Sequence, residues 1–381
     1  MKPNVIYCDP MACNNNLQVY DDNLLSKVQC EDITYFLNKK YTGVFTGNEN
    51  LILKYNYTYK KGVFKLLSYL STMIYLFFFV LINKKSNILH FQWLRLPTFD
   101  YYLISLLKKI KKIKFIFTAH DYLPHDTGNK HKKIYEKIYK KADAVIVHTE
   151  ITKEQIKNEM NIGRDNIHII PFSSMELPCD DIETDKQTKK LAELYPDDAI
   201  NFVFPGAIRR NKGIDDLLEA WIKSDILKDG EKCRLIVAGR DPDGFLKNYD
   251  IKGLNIYFDL KMLSNEEYVA YMNIADIVLM PYRDISQSGV LFACMEHHKP
   301  MMVTNVGGLT EPFKYGNLGW IVNPNAPNEI KETLEHIVQN KSEIESIKND
   351  NELWELLNGE IYSWDKAGRT TTELYEKIAN S

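Results

Sequence analysis

At 381 residues, 45% hydrophobic and 26% charged, the chain is long enough for two cores and is neither disordered nor fibrous in composition. Its net charge of −3 conceals a split: the first 180 residues hold 25 Lys and Arg against 17 Asp and Glu, a net +8, and the remainder nets −11. Two halves of opposite sign point to different partners. The basic half has only Arg95 and Arg164 as arginines and no nucleic-acid module, which argues against DNA or RNA. Six cysteines, none in a CxxC pair, exclude zinc-knuckle and thioredoxin readings, and the first residues lack the apolar stretch of a secretory signal. A reducing cytoplasm is the expected compartment.

Along the chain, short apolar runs alternate with amphipathic segments. Strands are expected at Asn4–Cys8, Asn87–Gln92, Lys114–Thr118, Ala144–His148 and Ile167–Pro171, then at Asn201–Phe204, Arg234–Ala238, Ile256–Phe258, Ile277–Met280 and Met301–Thr304. Before the second strand comes "LLSYLSTMIYLFFFVLI", Leu66 to Ile82. As a helix it would be roughly 25 Å long, short for a bilayer core of about 30 Å. A spanning helix would also strand the run that follows it. A buried or partly buried helix is expected, with peripheral seating on a membrane as the sharper alternative. The same pair of readings applies to "LLKKIKKIKF": a solvated amphipathic helix, or a membrane-facing patch of Lys108, Lys109, Lys111 and Lys112 that meets anionic lipid.

The alternation of strands and helices argues for parallel α/β sheets. It breaks at Pro178–Tyr195, a polar stretch that reads as a linker. The expected architecture is two Rossmann-like, doubly wound parallel-sheet domains facing a central cleft, residues 1–175 and 176–361. The last helix, about 362–381, can pack back on the first domain. Ligands of such sheets bind beyond the carboxyl ends of the strands, so the chemistry belongs in those loops.

Three loops in the second half stand out. "FPGAIRRNKG" puts Arg209, Arg210 and Lys212 between Gly206 and Gly213 with no acid among them. A solvated surface loop would explain the cations, and so would a phosphate held by them and by a helix N-terminus. The spacing is not that of a P-loop, which removes the main support for an ATPase. "ISQSG" opens another helix, with Ser286 or Ser288 as its N-cap and Gly289 allowing close backbone approach. Gly307-Gly308 follows the next strand, ahead of Glu311. "DPDG" at Asp241–Gly244 looks like a metal-binding DxD, but its proline and glycine mark a turn, and no metal site is expected.

The stretches "FPGAIRRNKGIDDLLEAW", "LIVAGRDP", "YMNIADIVLMPY", "ISQSGVLFACMEHHKPMMVTNVGGLTEPF" and "GNLGWIVNP" resemble, in order and spacing, the family-4 glycosyltransferases of the GT-B fold. "FTAHD", "ADAVIVHTE" and "IHIIPFS" resemble the family more loosely in the first half. The resemblance implies transfer of a sugar from a UDP- or GDP-linked donor, with retention and without a metal or other cofactor, to a glycan or polyprenyl-linked acceptor at a membrane surface. By it, Arg209 and Lys212 would grip the donor diphosphate, and Ser288 and Gly289 would present backbone N–H groups to it. Gly206, Gln287 and Glu311 would border the donor pocket, and His120 would sit across the cleft near the anomeric carbon. The pattern departs from the family at two glutamates, whose places fall on Ile285 and Ala293, and at the residue after Gly206, where Ala207 stands for the usual arginine. The likeness is to a branch with an "IxxxKG" loop and "SQSG", in which Arg209 would take that arginine's role. The glycine-rich loop after the first strand is replaced by "MACNNN". His90 and His148 also end strands, and for both a structural and a functional reading stay open. The missing glutamates leave a second reading of the whole chain, a non-catalytic homologue acting as a partner subunit.

Overall fold

A computed structural model describes residues 3–12, 16–30, 32–43, 50–55, 62–123, 128–160, 162–163, 166–173, 177–196 and 199–381. Asn14 and Asn15 of the "MACNNN" loop, Lys61 and Arg164 lie outside these. The chain divides into two compact units, residues 1–173 with 362–381, and residues 174–361.

The first unit is built from β1 (Asn4–Asp9), α1 (Asn16–Lys27), β2 (Asp32–Asn38), β3 (Leu51–Tyr55), α2 (Gly62–Ile82), β4 (Ile88–Phe91), α3 (Pro97–Lys111) and β5 (Lys114–Thr118). It continues with α4 (Lys132–Lys141), β6 (Ala144–Val147), α5 (Glu150–Met160) and β7 (Ile167–Ile169). The strands form one parallel sheet in the order β3-β2-β1-β4-β5-β6-β7. Alternate residues of each strand face opposite sides. Ile6, Cys8, Phe36, Leu89, Phe91, Phe115 and Phe117 pack under α2, α3, α4 and α5. On the other side lie Val5, Tyr7, Ile33, Tyr35, Leu37, Ile88, Ile116 and Ile146.

The second unit runs α6 (Asp181–Leu194), β8 (Ile200–Pro205), α7 (Ile214–Ile222), β9 (Cys233–Ala238), β10 (Ile256–Asp259), α8 (Asn265–Ile274), β11 (Ile277–Met280) and α9 (Gly289–Glu296). Then come β12 (Met301–Thr304), β13 (Gly319–Val322), α10 (Pro327–Gln339), α11 (Lys341–Lys348) and α12 (Asn351–Glu355). Its sheet is parallel in the order β10-β9-β8-β11-β12-β13. The Pro178–Tyr195 stretch is corrected here from a linker to a helix. Asp180 caps α6 by accepting from the Glu183 N–H at 2.9 Å, Leu191 is buried, and Asn273 of α8 donates to Thr188 at 3.2 Å.

The chain then returns to the first unit as α13 (Trp364–Ala379), N-capped by Ser363. The reason lies in the face opposite α2–α5, where among the described residues α1 is the sole earlier helix packed on the core. α13 adds Ala367, Leu374, Tyr375 and Ile378 to it. At Gly368 a Cβ would stand 2.4 Å from that of Lys27, so only glycine lets the two helices approach this closely. Tyr375 also hydrogen-bonds through its hydroxyl with the Nδ1 of buried His90, at 2.6 Å.

These contacts make α13 part of the first unit's core. Tyr375→Phe, which leaves His90 short of a partner, should cost about 1–3 kcal/mol. Tyr375→Ala should cost about 3–5 kcal/mol, as other large aromatic deletions do. Urea unfolding of the full chain measures both, and unchanged midpoints would show that α13 is dispensable.

Candidate active site

In the second unit four strand-end loops touch through their backbones. Gly206 closes β8 at φ 97°, a turn of 3-10 helix covers Arg210–Lys212, and Gly213 opens α7 at φ 62°. A Cβ on Gly213 would stand 1.9 Å from the Pro281 oxygen, and one on Gly239 would stand 2.0 Å from that of Gly206. The Arg283 N–H donates to the Asn211 carbonyl at 2.7 Å, and the Asn211 amide donates to the Asp284 carbonyl at 3.0 Å. The Arg283 guanidinium grips Asp216 through Nε at 2.8 Å and a terminal nitrogen at 2.7 Å, and reaches Asp215 at 2.8 Å. The two acids in the first turn of α7 are thus paired with Arg283.

Beyond β11, Ser288 is buried and caps α9 by accepting from the Val290 N–H at 3.2 Å. Gly307, at φ 49°, lets its loop lie against the Ile285 carbonyl, and the Gly308 N–H donates to Ser286 at 3.0 Å. Lys212 donates to the Tyr282 hydroxyl at 3.2 Å, with its ammonium 4.8 Å from the ring centre. A Cβ at Gly206 would lie 3.7 Å from that ammonium and 3.9 Å from the Val290 side chain. Gly206, Lys212 and the N-terminal turn of α9, with Ser288 and exposed Gly289, therefore converge. Half-buried Gln287 belongs to the same loop, and Glu311 sits in the 3-10 segment Gly307–Lys314. Arg209 lies beside this group: with Arg210 it lines a hollow of about 410 Å³ completed by Asp243, Gly244, Phe245 and Tyr249. "DPDG" is a turn, its Asp241 accepting from the Phe245 and Leu246 N–H groups at 2.9 Å. Among the described residues no group of three His, Cys, Asp or Glu side chains is placed to hold a metal ion.

The first unit gathers its polar groups around His120, which stacks on Trp93 with ring centres 4.7 Å apart. The His120 Nδ1 lies 3.1 Å from the His148 Nε2, and the His148 Nδ1 donates to the Ile170 carbonyl at 2.8 Å. A neutral His148 must then accept from His120, which leaves the His120 Nε2, 2.9 Å from the Gln92 amide oxygen, as an unprotonated acceptor. Turning the Gln92 amide satisfies that arrangement. Burial keeps His120 well below the usual histidine range, helped by His148, and brings His148 to about 4 and His90 to about 3. His148 thus meets His120 directly, and His90 joins the same network through Gln92. Beside it, burial raises Asp9 to about 7, and Asp21 is raised as well, by burial and then by Asp9. Gln92, Trp93, Asp9 and Asp21 were not among the expected residues. Asp9 and Gln92 stand at strand ends in "YCDP" and "HFQW", a position that was readable, but no spacing pattern singled them out.

The basic patch needs a correction. Lys108 is not free to face a membrane: it pairs with Asp143 and donates to the Lys141 carbonyl at 2.9 Å. Lys111 donates to the carbonyls of Leu81 (at 3.2 Å) and Asn83. Both tie helices together, whereas Lys109 and Lys112 are exposed as expected.

His148 generates a pH prediction. Unfolded histidine takes up a proton near 6.5, whereas folded His148 refuses it to about 4. Its contribution to stability is therefore complete above about 6.5 and is lost as pH falls towards 4, up to about 3 kcal/mol. Asp9 and Asp100, kept protonated to about 7, act with opposite sign over the same window, so the readout is a difference. Thermal midpoints of His148→Gln should respond less steeply to acid than those of the native chain, and equal responses would refute the assignment.

Two family descriptions match the chain: "Glycosyltransferase Family 4" over residues 56–172 and "Glycosyl transferases group 1" over residues 199–340. An alpha-D-kanosaminyltransferase of Streptomyces kanamyceticus is 22% identical over 203 residues, 52% of either chain, so this chain spans about half the length of that relative. The capsular polysaccharide biosynthesis glycosyltransferase CapM of Staphylococcus aureus is 23% identical over 67% of this chain and 61% of its own. Anabaena Alr3699/HepE, solved with UDP, shares the fold with a TM-score of 0.69 at 11% identity, covering 99% of this chain and 100% of its own. Glycosyltransferase descriptions thus match a stretch of each unit, and the fold is that of the GT-B structures.

Proposed function

We propose that the protein transfers a sugar, with retention of configuration, from a UDP- or GDP-linked donor to a glycan or polyprenyl-linked acceptor in surface polysaccharide or glycoconjugate synthesis. The observation that carries this reading is the convergence of the Lys212 ammonium with Gly206 and the N-terminal turn of α9, while Arg283 occupies the neighbouring acids. As the bond to the donor phosphate breaks, negative charge grows on the leaving group. Fixed cations and backbone N–H groups stabilise that charge with little reorganisation. Lys212 and Arg209 supply the cations, and Ser288 and Gly289 stand at the helix end. The transfer needs no metal or other cofactor on this reading.

His120 is the residue proposed to meet the sugar from the first unit, as a neutral imidazole that accepts a hydroxyl hydrogen. The names of two relatives support the wider assignment: CapM acts in capsular polysaccharide biosynthesis, and HepE was solved with UDP. A location in the cytoplasm, at the inner face of the membrane, belongs to the same proposal. It suits the free thiols of Cys8, Cys30, Cys179, Cys233 and Cys294.

A thermal-shift series with UDP, GDP and their sugar conjugates tests the donor seat. A nucleotide at 100 times its Kd should stabilise the protein by about 2.7 kcal/mol, and Arg209→Ala with Lys212→Ala should remove the shift. Transfer should persist in EDTA. Binding without transfer to any acceptor would favour the partner-subunit reading, for which the absence of carboxylates at Ile285 and Ala293 is the supporting observation. No shift with any nucleotide would defeat the donor seat and the transferase reading with it.

A further inference from the structure

α2 is apolar on two opposite sides. Tyr69, Met73, Leu76 and Val80 form the stripe buried against the sheet, and Thr72 within it donates to the carbonyls of Ser68 and Lys54. The outward stripe carries Phe64 (72% exposed), Leu67, Ile74, Phe78 (56%) and Ile82 (77%). α3 lies beside it and runs the same way. The Tyr69 hydroxyl donates to Asp100 at 3.0 Å near the start of both helices, and Lys111 bonds the Leu81 and Asn83 carbonyls at their ends. α3 buries Leu103, Ile104 and Leu107 in the same core and turns Tyr102, Leu106 and Ile110 outward. The two outward stripes form one apolar face, since both helices bury their opposite sides in one core.

Charge says what covers this face. Between Glu49 and Asp121 the sequence has twelve Lys and Arg and one carboxylate, Asp100, which is buried. Lys84, Lys85, Lys109 and Lys112 are exposed together at the C-terminal ends of the paired helices. A second copy would have to lay this face on itself, bringing lysines against lysines or against the positive helix N-termini, with no exposed acid on either helix to answer them. An anionic bilayer answers both features, apolar side chains entering the headgroup boundary and lysines meeting lipid phosphates. A spanning arrangement would pull the Tyr69–Val80 stripe and the Thr72 hydroxyl out of the sheet packing, so the helix lies along the surface.

We propose that the outward face of α2 and α3 seats the protein on an anionic lipid bilayer, with Phe64, Leu67 and Phe78 entering the surface and Lys84, Lys85, Lys109 and Lys112 on phosphate. This deepens the membrane part of the proposed function and is independent of the donor seat.

The test is co-sedimentation of the full chain with vesicles of phosphatidylcholine alone, or of equal parts phosphatidylcholine and phosphatidylglycerol. The native protein should pellet with the anionic vesicles, less so as salt rises. Lys84→Gln with Lys85→Gln should weaken that binding about 30-fold, two cations at roughly 1 kcal/mol each. Phe64→Glu with Phe78→Glu should abolish it, while an unchanged thermal midpoint and nucleotide shift show the fold and donor seat intact. A native chain that stays in solution with both vesicles would overturn the proposal. So would a native dimer, by sedimentation equilibrium, that the Phe64→Glu, Phe78→Glu variant dissolves, because the face would then belong to a second copy.

Discussion

Three positions in the loops beyond the carboxyl ends of the second unit's strands admit nothing larger than a hydrogen atom. At Gly213, Gly239 and Gly307 a Cβ would meet the carbonyl oxygens of Pro281, Gly206 and Ile285 at 1.9, 2.0 and 1.7 Å. All three also hold positive φ, which side chains resist. In a parallel sheet the carboxyl ends of the strands share one edge, so these contacts join neighbouring loops in the spatial order β9, β8, β11, β12. Everything proposed for the donor follows from that closeness. Lys212 lies over Tyr282 and near Val290 because the backbones beneath them are already in contact.

The two units treat ionisable groups in opposite ways. The second keeps its cations at the surface and pairs the adjacent acids with Arg283, which leaves a local positive field inside an acidic half. The first takes histidines and carboxylates out of water and shifts them towards their uncharged forms: His90, His120 and His148 resist protonation, and Asp9, Asp21 and Asp100 resist ionisation. Desolvation drives both shifts. The proposed function draws on this contrast, with an anion at the second unit and neutral hydroxyls at the first.

Much of this was legible in the sequence. The central strands announce themselves because strands buried on both faces read as continuous apolar runs: "KFIFT", "IVLM" and "MMVT" have the observed bounds. The strands missed were β2, β3 and β13. β3 and β13 are edge strands with partly exposed faces, and β13 starts on a glycine, so neither shows such a run. β2 did carry a signal, the β-branched and aromatic run Ile33–Leu37, diluted by Asp32 and Asn38 at its ends. Glycines and cations of the donor loops were readable because special backbone geometry and phosphate chemistry each demand particular residues. The His120 network was not. Gln92, His148 and Asp9 come from strands whose adjacency is a matter of topology, and periodicity in one strand says nothing about its neighbour. The lysines divided for a similar reason: by sequence alone Lys108 and Lys111 read as solvated or membrane-facing, and their partners Asp143 and Asn83 come from other elements.

The return of α13 has a consequence for the newly made chain. Protein synthesis proceeds from the N-terminus, and domains commonly fold in that order. Here the first unit's sheet emerges early, but α13, which joins α1 in covering one of its faces, is made only after all of residues 174–361. On the ribosome, then, the later unit can close first, while Tyr7, Ile33, Ile88 and Ile116 wait beneath an unfinished cover. Any chaperone that attends this protein would find its binding surface there, on the oldest part of the nascent chain.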